Sequence, residues 1–158
     1  MKNKLLFSLL LASLFTFVYS DLGEDLHDAA KDGKKKDVEK LIKKGADINF
    51  QDDDGETPLM EAADEGYLKI VKLLVSKGAK LDLQDEDGDT ALHKAAEEGR
   101  IKVVKFLVES GAKTDIRNNK DRTPLEEAMD ELKDEKKGSK DYKNLQKVVN
   151  YLKALPKK

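Results

Sequence analysis

Two histidines, thirty-two acidic residues and thirty basic ones are the whole stock from which this 158-residue chain could build a reactive site, since it has no cysteine. His27 or His93 could serve as a general base or a metal ligand. A base also needs a nucleophile within reach and a third group to orient it. No serine sits in a recognisable nucleophile motif, and neither G-x-x-x-x-G-K-[ST] nor G-x-G-x-x-G occurs. The residues give no catalytic site and no cofactor.

Clustered acids suggest calcium. A helix-loop-helix calcium loop needs oxygen ligands at positions one, three and five, glycine at six and glutamate at twelve. With Gly88 sixth, the first position is Leu83 and the twelfth is Lys94; with Gly55 sixth, the first is Phe50, although Glu61 falls twelfth. Neither loop passes, so no metal site is expected from the sequence.

The positions that carry these residues are periodic. Ala29, Ala62, Ala95 and Ala128 are each 33 residues apart, as are Gly33, Gly66 and Gly99, and His27 and His93 are two periods apart. Thr57, Thr90 and Thr123 open TPLMEAADEG, TALHKAAEEG and TPLEEAMDEL, and LHDAAKDG begins at Leu26. Threonine can cap a helix start and proline suits the first helical position. Alanines let helices approach closely, and Gly66 supplies the left-handed residue that turns the chain back. A second helix follows over about Leu68–Lys77, with Leu68, Val71, Leu74 and Val75 at helical spacing. Gly78 stops it.

This unit resembles the ankyrin-repeat family, whose signature is T-P-L-H-x-A-A, a glycine, an apolar helix and G-A-D. The resemblance implies an all-α solenoid of four helix-turn-helix repeats with protruding loop or β-hairpin tips. The repeats fall at about 21–51, 52–84, 85–117 and 118–155 within a domain of 21–158. It also implies that the repeated histidine hydrogen-bonds locally, and that proteins are bound through the tips and the exposed part of each first helix. Such repeats need polar outer faces at both ends of the stack. The lysine-rich KKKDVEKLIKKG fits at one end. At the other, Leu132 replaces the helix-ending glycine, and KVVNYL from Lys147 repeats KVVKFL from Lys102 after 45 residues rather than 33. Twelve residues are therefore inserted near 133–141, which predicts a first helix lengthened to about Gly138 and an offset last helix.

Residues 1–20 read differently. Lys2 and Lys4 precede an uncharged run, Leu5–Ser20, and Val18 and Ser20 suit a signal peptidase cutting before Asp21. Sixteen uncharged residues are short of the roughly 20 apolar ones that cross a bilayer. The expectation is a secretory signal peptide, periplasmic or secreted localisation, a bacterial source and no membrane contact after cleavage. With no cysteine after the leader, a lipoprotein is excluded. The remainder carries 28 basic and 32 acidic residues, a net charge of −4.

Charge divides between faces. The expected binding positions are Asp53, Asp54, Glu56, Asp64 and Glu65 in one repeat and Glu86, Asp87, Asp89, Glu97 and Glu98 in the next, all acidic. Lys120 and Arg122 reverse the sign at the last tip, while Lys69, Lys72, Lys77, Lys102 and Lys105 fall on second helices. Acid at helix starts complements the dipole, which accounts for Glu56 and Asp89 but not for Asp64, Glu65, Glu97 and Glu98 near helix ends. The reading is a monomeric, non-catalytic interaction module whose acidic concave groove takes a protein with a basic patch. Nucleic acid is a poor fit to that surface. The rival readings are an accessory or inhibitor subunit of one exported enzyme and a secreted, host-directed effector.

Overall fold

Each threonine of the period does one job. Thr57, Thr90 and Thr123 sit in extended backbone, and their hydroxyls accept the N–H of Met60, His93 and Glu126 at 3.2, 3.4 and 3.3 Å. The third residue's side chain returns to the threonine N–H, so two of the free donors at each helix start are satisfied together. Pro58 and Pro124 occupy the first turn, where a missing N–H costs nothing.

The computed structural model describes residues 22–156; the expected leader, 1–20, lies outside the described residues. Within them are four helix pairs. Residues 22–31 form α1, paired with α2 (Lys35–Lys43). Then come α3 (Pro58–Asp64) with α4 (Leu68–Ser76), and α5 (Ala91–Glu97) with α6 (Ile101–Glu109). The last pair is α7 (Pro124–Asp134) with α8 (Lys140–Lys153). No described residue is in a strand.

The pairs stack in two rows. First helices pack α3 on α5 and α5 on α7, and second helices run α2, α4, α6, α8. Ala62, Ala63, Ala95 and Ala96 are fully buried in the first row, and Val71, Leu74, Val104 and Leu107 are fully buried in the second. Methyl side chains let backbone lie near backbone; the larger residues of the second row fill the wedge behind. Gly66 turns the chain between the rows at φ +77°, and a Cβ there would come within 2.9 Å of Arg100 Cδ. Lys72 and Lys105 are exposed yet lie over the Phe106 and Tyr151 rings, each 5.4 Å from the centroid, and so join neighbouring second helices.

Of the loop or β-hairpin tips expected, the described residues show the loop form, a tight turn with no strand. Asp52, Asp85 and Asn118 each donate one backbone N–H to the carbonyl four residues on, at 3.1, 3.0 and 3.0 Å, and a single bond builds no ladder. The inserted segment differs from expectation: α7 ends at Asp134 rather than near Gly138. Leu132 lets it outrun its counterparts, but Ser139 must stay non-helical to accept the Tyr142 N–H at 2.9 Å and start α8. Residues 135–139, with Gly138 at φ +89°, make the turn. No helix of the described residues is long and apolar enough to cross a membrane.

Enlarging a side chain in the alanine row forces helices apart. Ala95→Leu is expected to destabilise the fold by about 1–3 kcal/mol in urea unfolding, against about 0.5 kcal/mol or less for Lys102→Ala on the exposed face.

Candidate functional site

The tips are built from a column of residues that recurs with the period. Oδ1 of Asp52 accepts the N–H of Glu56 at 2.8 Å, Oδ1 of Asp85 that of Asp89 at 2.8 Å, and Oδ1 of Asn118 that of Arg122 at 3.0 Å. Gln51 and Gln84 brace the same turns, each donating to the glycine carbonyl four residues on at 2.7 Å and to the next repeat's carbonyl at 3.2 Å. Backbone joins tip to tip as well: the Glu86 N–H donates to the Asp54 carbonyl at 3.0 Å, and the Asn119 N–H to the Asp87 carbonyl at 2.9 Å. That closeness is why Gly88 must be glycine. Its φ is +78°, and a Cβ would sit 2.9 Å from the Asn119 nitrogen. The three tips form one hydrogen-bonded edge.

On that edge Asp53, Asp54, Glu86 and Asp87 are exposed. A recess of about 400 Å³ opens between the tips that precede α3 and α5, lined by Asp54, Glu56, Asp85, Glu86, Asp87 and Lys94. Lys94, on α5, is the one cation there. Its Nζ lies 2.8 Å from both Glu56 Oε1 and Asp85 Oδ2. Burial alone would lower its pKa, but the hydrogen bonds it donates to Asp85 and Glu56 outweigh that and hold it above its ordinary value. Among the described residues, Asp53, Asp54, Glu65, Glu86 and Asp87 make no ion pair.

At the far ends of the first helices, Asp64 and Glu97 are half-buried while Glu65 and Glu98 are exposed. Burial, then the charges of Glu98 and Glu65, push the Asp64 carboxyl up from 3.8. Burial, then Glu127, Asp89 and Glu131, push Glu97 up from 4.5. Asp64, Glu65 and Glu98 thus form one repelling group, while Glu97 stands apart from them beside Glu127, Asp89 and Glu131. Arg100 intrudes on the group, donating from Nε to the Asp64 carbonyl at 2.6 Å with its guanidinium 3.4 Å from Glu98.

Three expected residues are not free for a partner. Asp89 is 4% exposed and accepts from Asn118 Nδ2 at 2.7 Å. Glu56 is held by Lys94. Arg122 is ion-paired with Glu127, at 2.9 Å, and with Asp130. Glu127 is 1% exposed and also accepts from Asn118 at 2.7 Å, so a carboxylate on α7 draws the basic tip inward. Lys120 remains exposed, 3.7 Å from Glu127.

These inward partners went unread in the sequence, although the period aligns them. Glu61, Lys94 and Glu127 are each 33 apart, as are Asp52, Asp85 and Asn118. A charged residue at the same first-helix position of three successive repeats was the available signal. The family model for ankyrin repeats (three copies) matches residues 26–120.

The chain belongs to the ankyrin-repeat family. A search of the curated proteins found no match. Ankyrin repeats generally mediate binding between proteins and are typically non-catalytic. In this ankyrin chain the match spans the first three helix pairs, and α7–α8 lies beyond it. His93 behaves as the resemblance implied. Its Nδ1 accepts the Thr90 N–H and its Nε2 bonds to the Arg122 carbonyl, both at 3.1 Å, while burial lowers its pKa from 6.5. His27 does not. Its Nε2 is buried without a hydrogen-bond partner, and with Asp52 and Glu56 it forms a set of donor atoms within 4.8 Å of one another that could hold a metal ion.

A carboxyl raised in the folded state makes that state bind more protons than the unfolded chain between the two pKa values. Stability therefore falls as pH rises through that window, and the deficit is complete above the folded value. By carbon-13 carboxyl NMR, Asp64 should titrate above 3.8 and Glu97 above 4.5, and Glu98→Gln should bring the Asp64 midpoint down. An Asp64 midpoint at or below 3.8 would show that this end of the stack carries no concentrated charge.

Proposed function

We propose that this chain binds a protein with a basic patch through the acidic edge formed by its second and third repeats. One observation carries the reading: the recess between those tips is lined by five carboxylates, and its single cation is already engaged by two of them. Asp54, Glu86 and Asp87 are left facing solvent on a braced backbone. A fixed concentration of one sign raises the local density of an oppositely charged partner and speeds encounter by about tenfold or more. Lysine or arginine side chains of the partner would enter the recess beside Asp54 and Asp87. Glu65 and Glu98, with the half-buried Asp64 and Glu97, extend the negative field down the same face of the first helices.

The groove is taken as concave and the protomer as a monomer, and the negative charge of this face argues against nucleic acid as the partner. We take α7–α8 as a fourth, altered repeat that closes the stack. Action outside the cytoplasm, after removal of residues 1–20, is part of the same reading and rests on the uncharged run after Lys2 and Lys4.

The test compares the parent chain with one carrying Asp54→Asn, Glu86→Gln and Asp87→Asn, helical content being checked by circular dichroism. The partner captured by the parent should associate with the variant about tenfold more slowly at low salt, and the gap should close as salt rises. Equal association rates would remove this surface from consideration.

A further inference from the structure

The three junctions between successive helix pairs use the same positions but solve their charge differently. At the junction of the second and third pairs, Lys94 sits between Glu56 and Asp85, 2.8 Å from each. At the next, Arg122 and Asn118 neutralise and satisfy Glu127 and Asp89. The first junction has no such central cation. Asp52 Oδ2 and Glu61 Oε1 converge instead on His27 Nε2, at 3.4 and 3.5 Å. Glu61 is met from the side by Lys31, at 2.9 Å, whose side chain is 55% exposed.

His27 is the anomaly. It is 5% exposed, yet its Nε2 makes no hydrogen bond. A buried polar atom left in this state is costly, and such atoms commonly have an unseen partner. His93, two periods on, is the internal comparison: the same atom bonds to the Arg122 carbonyl at 3.1 Å. The orphan nitrogen of His27 points into carboxylates.

The spacing fits one further atom. Donors held about 2.0–2.1 Å from a tetrahedral zinc ion stand about 3.3–3.4 Å from one another. The two His27 contacts, too long for ordinary N–H···O bonds, are close to that separation. Glu56 contributes a further oxygen within 4.8 Å of the His27 and Asp52 donors. Charge agrees with geometry. Asp52, Glu56, Glu61 and Asp85 are four carboxylates served by the two ammonium groups of Lys31 and Lys94. Two negative charges remain, as many as one divalent cation supplies.

We propose that His27, Asp52 and Glu56, with Glu61 beside them, bind a divalent transition metal of the zinc class between the first and second repeats. The imidazole donor selects zinc or cobalt over calcium and magnesium, which favour all-oxygen sets. The ion would fasten α1 to the tip that precedes α3, where the first repeat lacks the threonine cap of the others and has Glu24 inside its helix.

The full chain, prepared without a histidine tag and stripped with chelator, is titrated with zinc by calorimetry and with cobalt by visible absorption. Expected are one zinc per chain, cobalt bands of tetrahedral intensity and no comparable uptake of calcium. His27→Gln and Asp52→Asn should each weaken zinc binding by at least about tenfold, while Glu109→Gln on the exposed face of α6 leaves it unchanged. With only two histidines, nitrogen-15 NMR of the parent chain reads the site directly: zinc should move the His27 Nε2 resonance and leave His93 in place. This last reading stands even if His27→Gln fails to fold. No stoichiometric uptake, uptake indifferent to Asp52→Asn, or a shift at His93 instead would each overturn the proposal.

Discussion

The approach of one first helix to the next across buried alanines governs the rest of this molecule. With Ala62 and Ala63 on α3 and Ala95 and Ala96 on α5 fully buried, the pairs lie near enough for backbone to meet backbone at the tips. Larger residues in that row would separate the tips and break the bonds from Glu86 to Asp54 and from Asn119 to Asp87. A solenoid has few long-range contacts to compensate, because each repeat meets only its neighbours. The placement of every exposed carboxylate on the edge follows from this one contact.

The packing also explains why ionisable groups are so common inside so thin a protein. Each junction turns the second side-chain oxygen of Asp52 and Asp85, and the amide of Asn118, toward a first helix, where water is scarce. Buried charge is tolerated only when paired and hydrogen-bonded. Lys94 does this for one junction, and Arg122 with Asn118 does it for another. The solutions alternate in sign along the column Glu61, Lys94, Glu127, so identical backbone units carry different electrostatics. Such differences give a repeat protein distinguishable sites on otherwise equivalent positions.

Much of the fold was legible because the period acts on backbone-determining residues. Thr57, Pro58, Ala62 and Gly66 each have a local physical role, and local roles survive without knowledge of neighbours. The departures were legible too where one residue decided them, as Leu132 did in letting α7 run on. Site accessibility was not. Whether Asp89 or Arg122 faces a partner depends on what the adjacent repeat presents, here Asn118 and Glu127, and periodicity assigns a position without naming the group across the junction. The two histidines show the same limit. They are equivalent in spacing, but one has Thr90 and a carbonyl before it and the other has a ring of carboxylates.

The central claim is that the tips form one rigid edge rather than three independent loops, so that their charges keep fixed separations. Amide hydrogen exchange of the full chain measures this residue by residue. The account predicts that the N–H groups of Glu86 and Asn119, though on exposed turns, exchange slowly because each is bonded to the preceding tip, while those of Asp53 and Asp87 exchange freely. Free-loop exchange at Glu86 and Asn119 would contradict it.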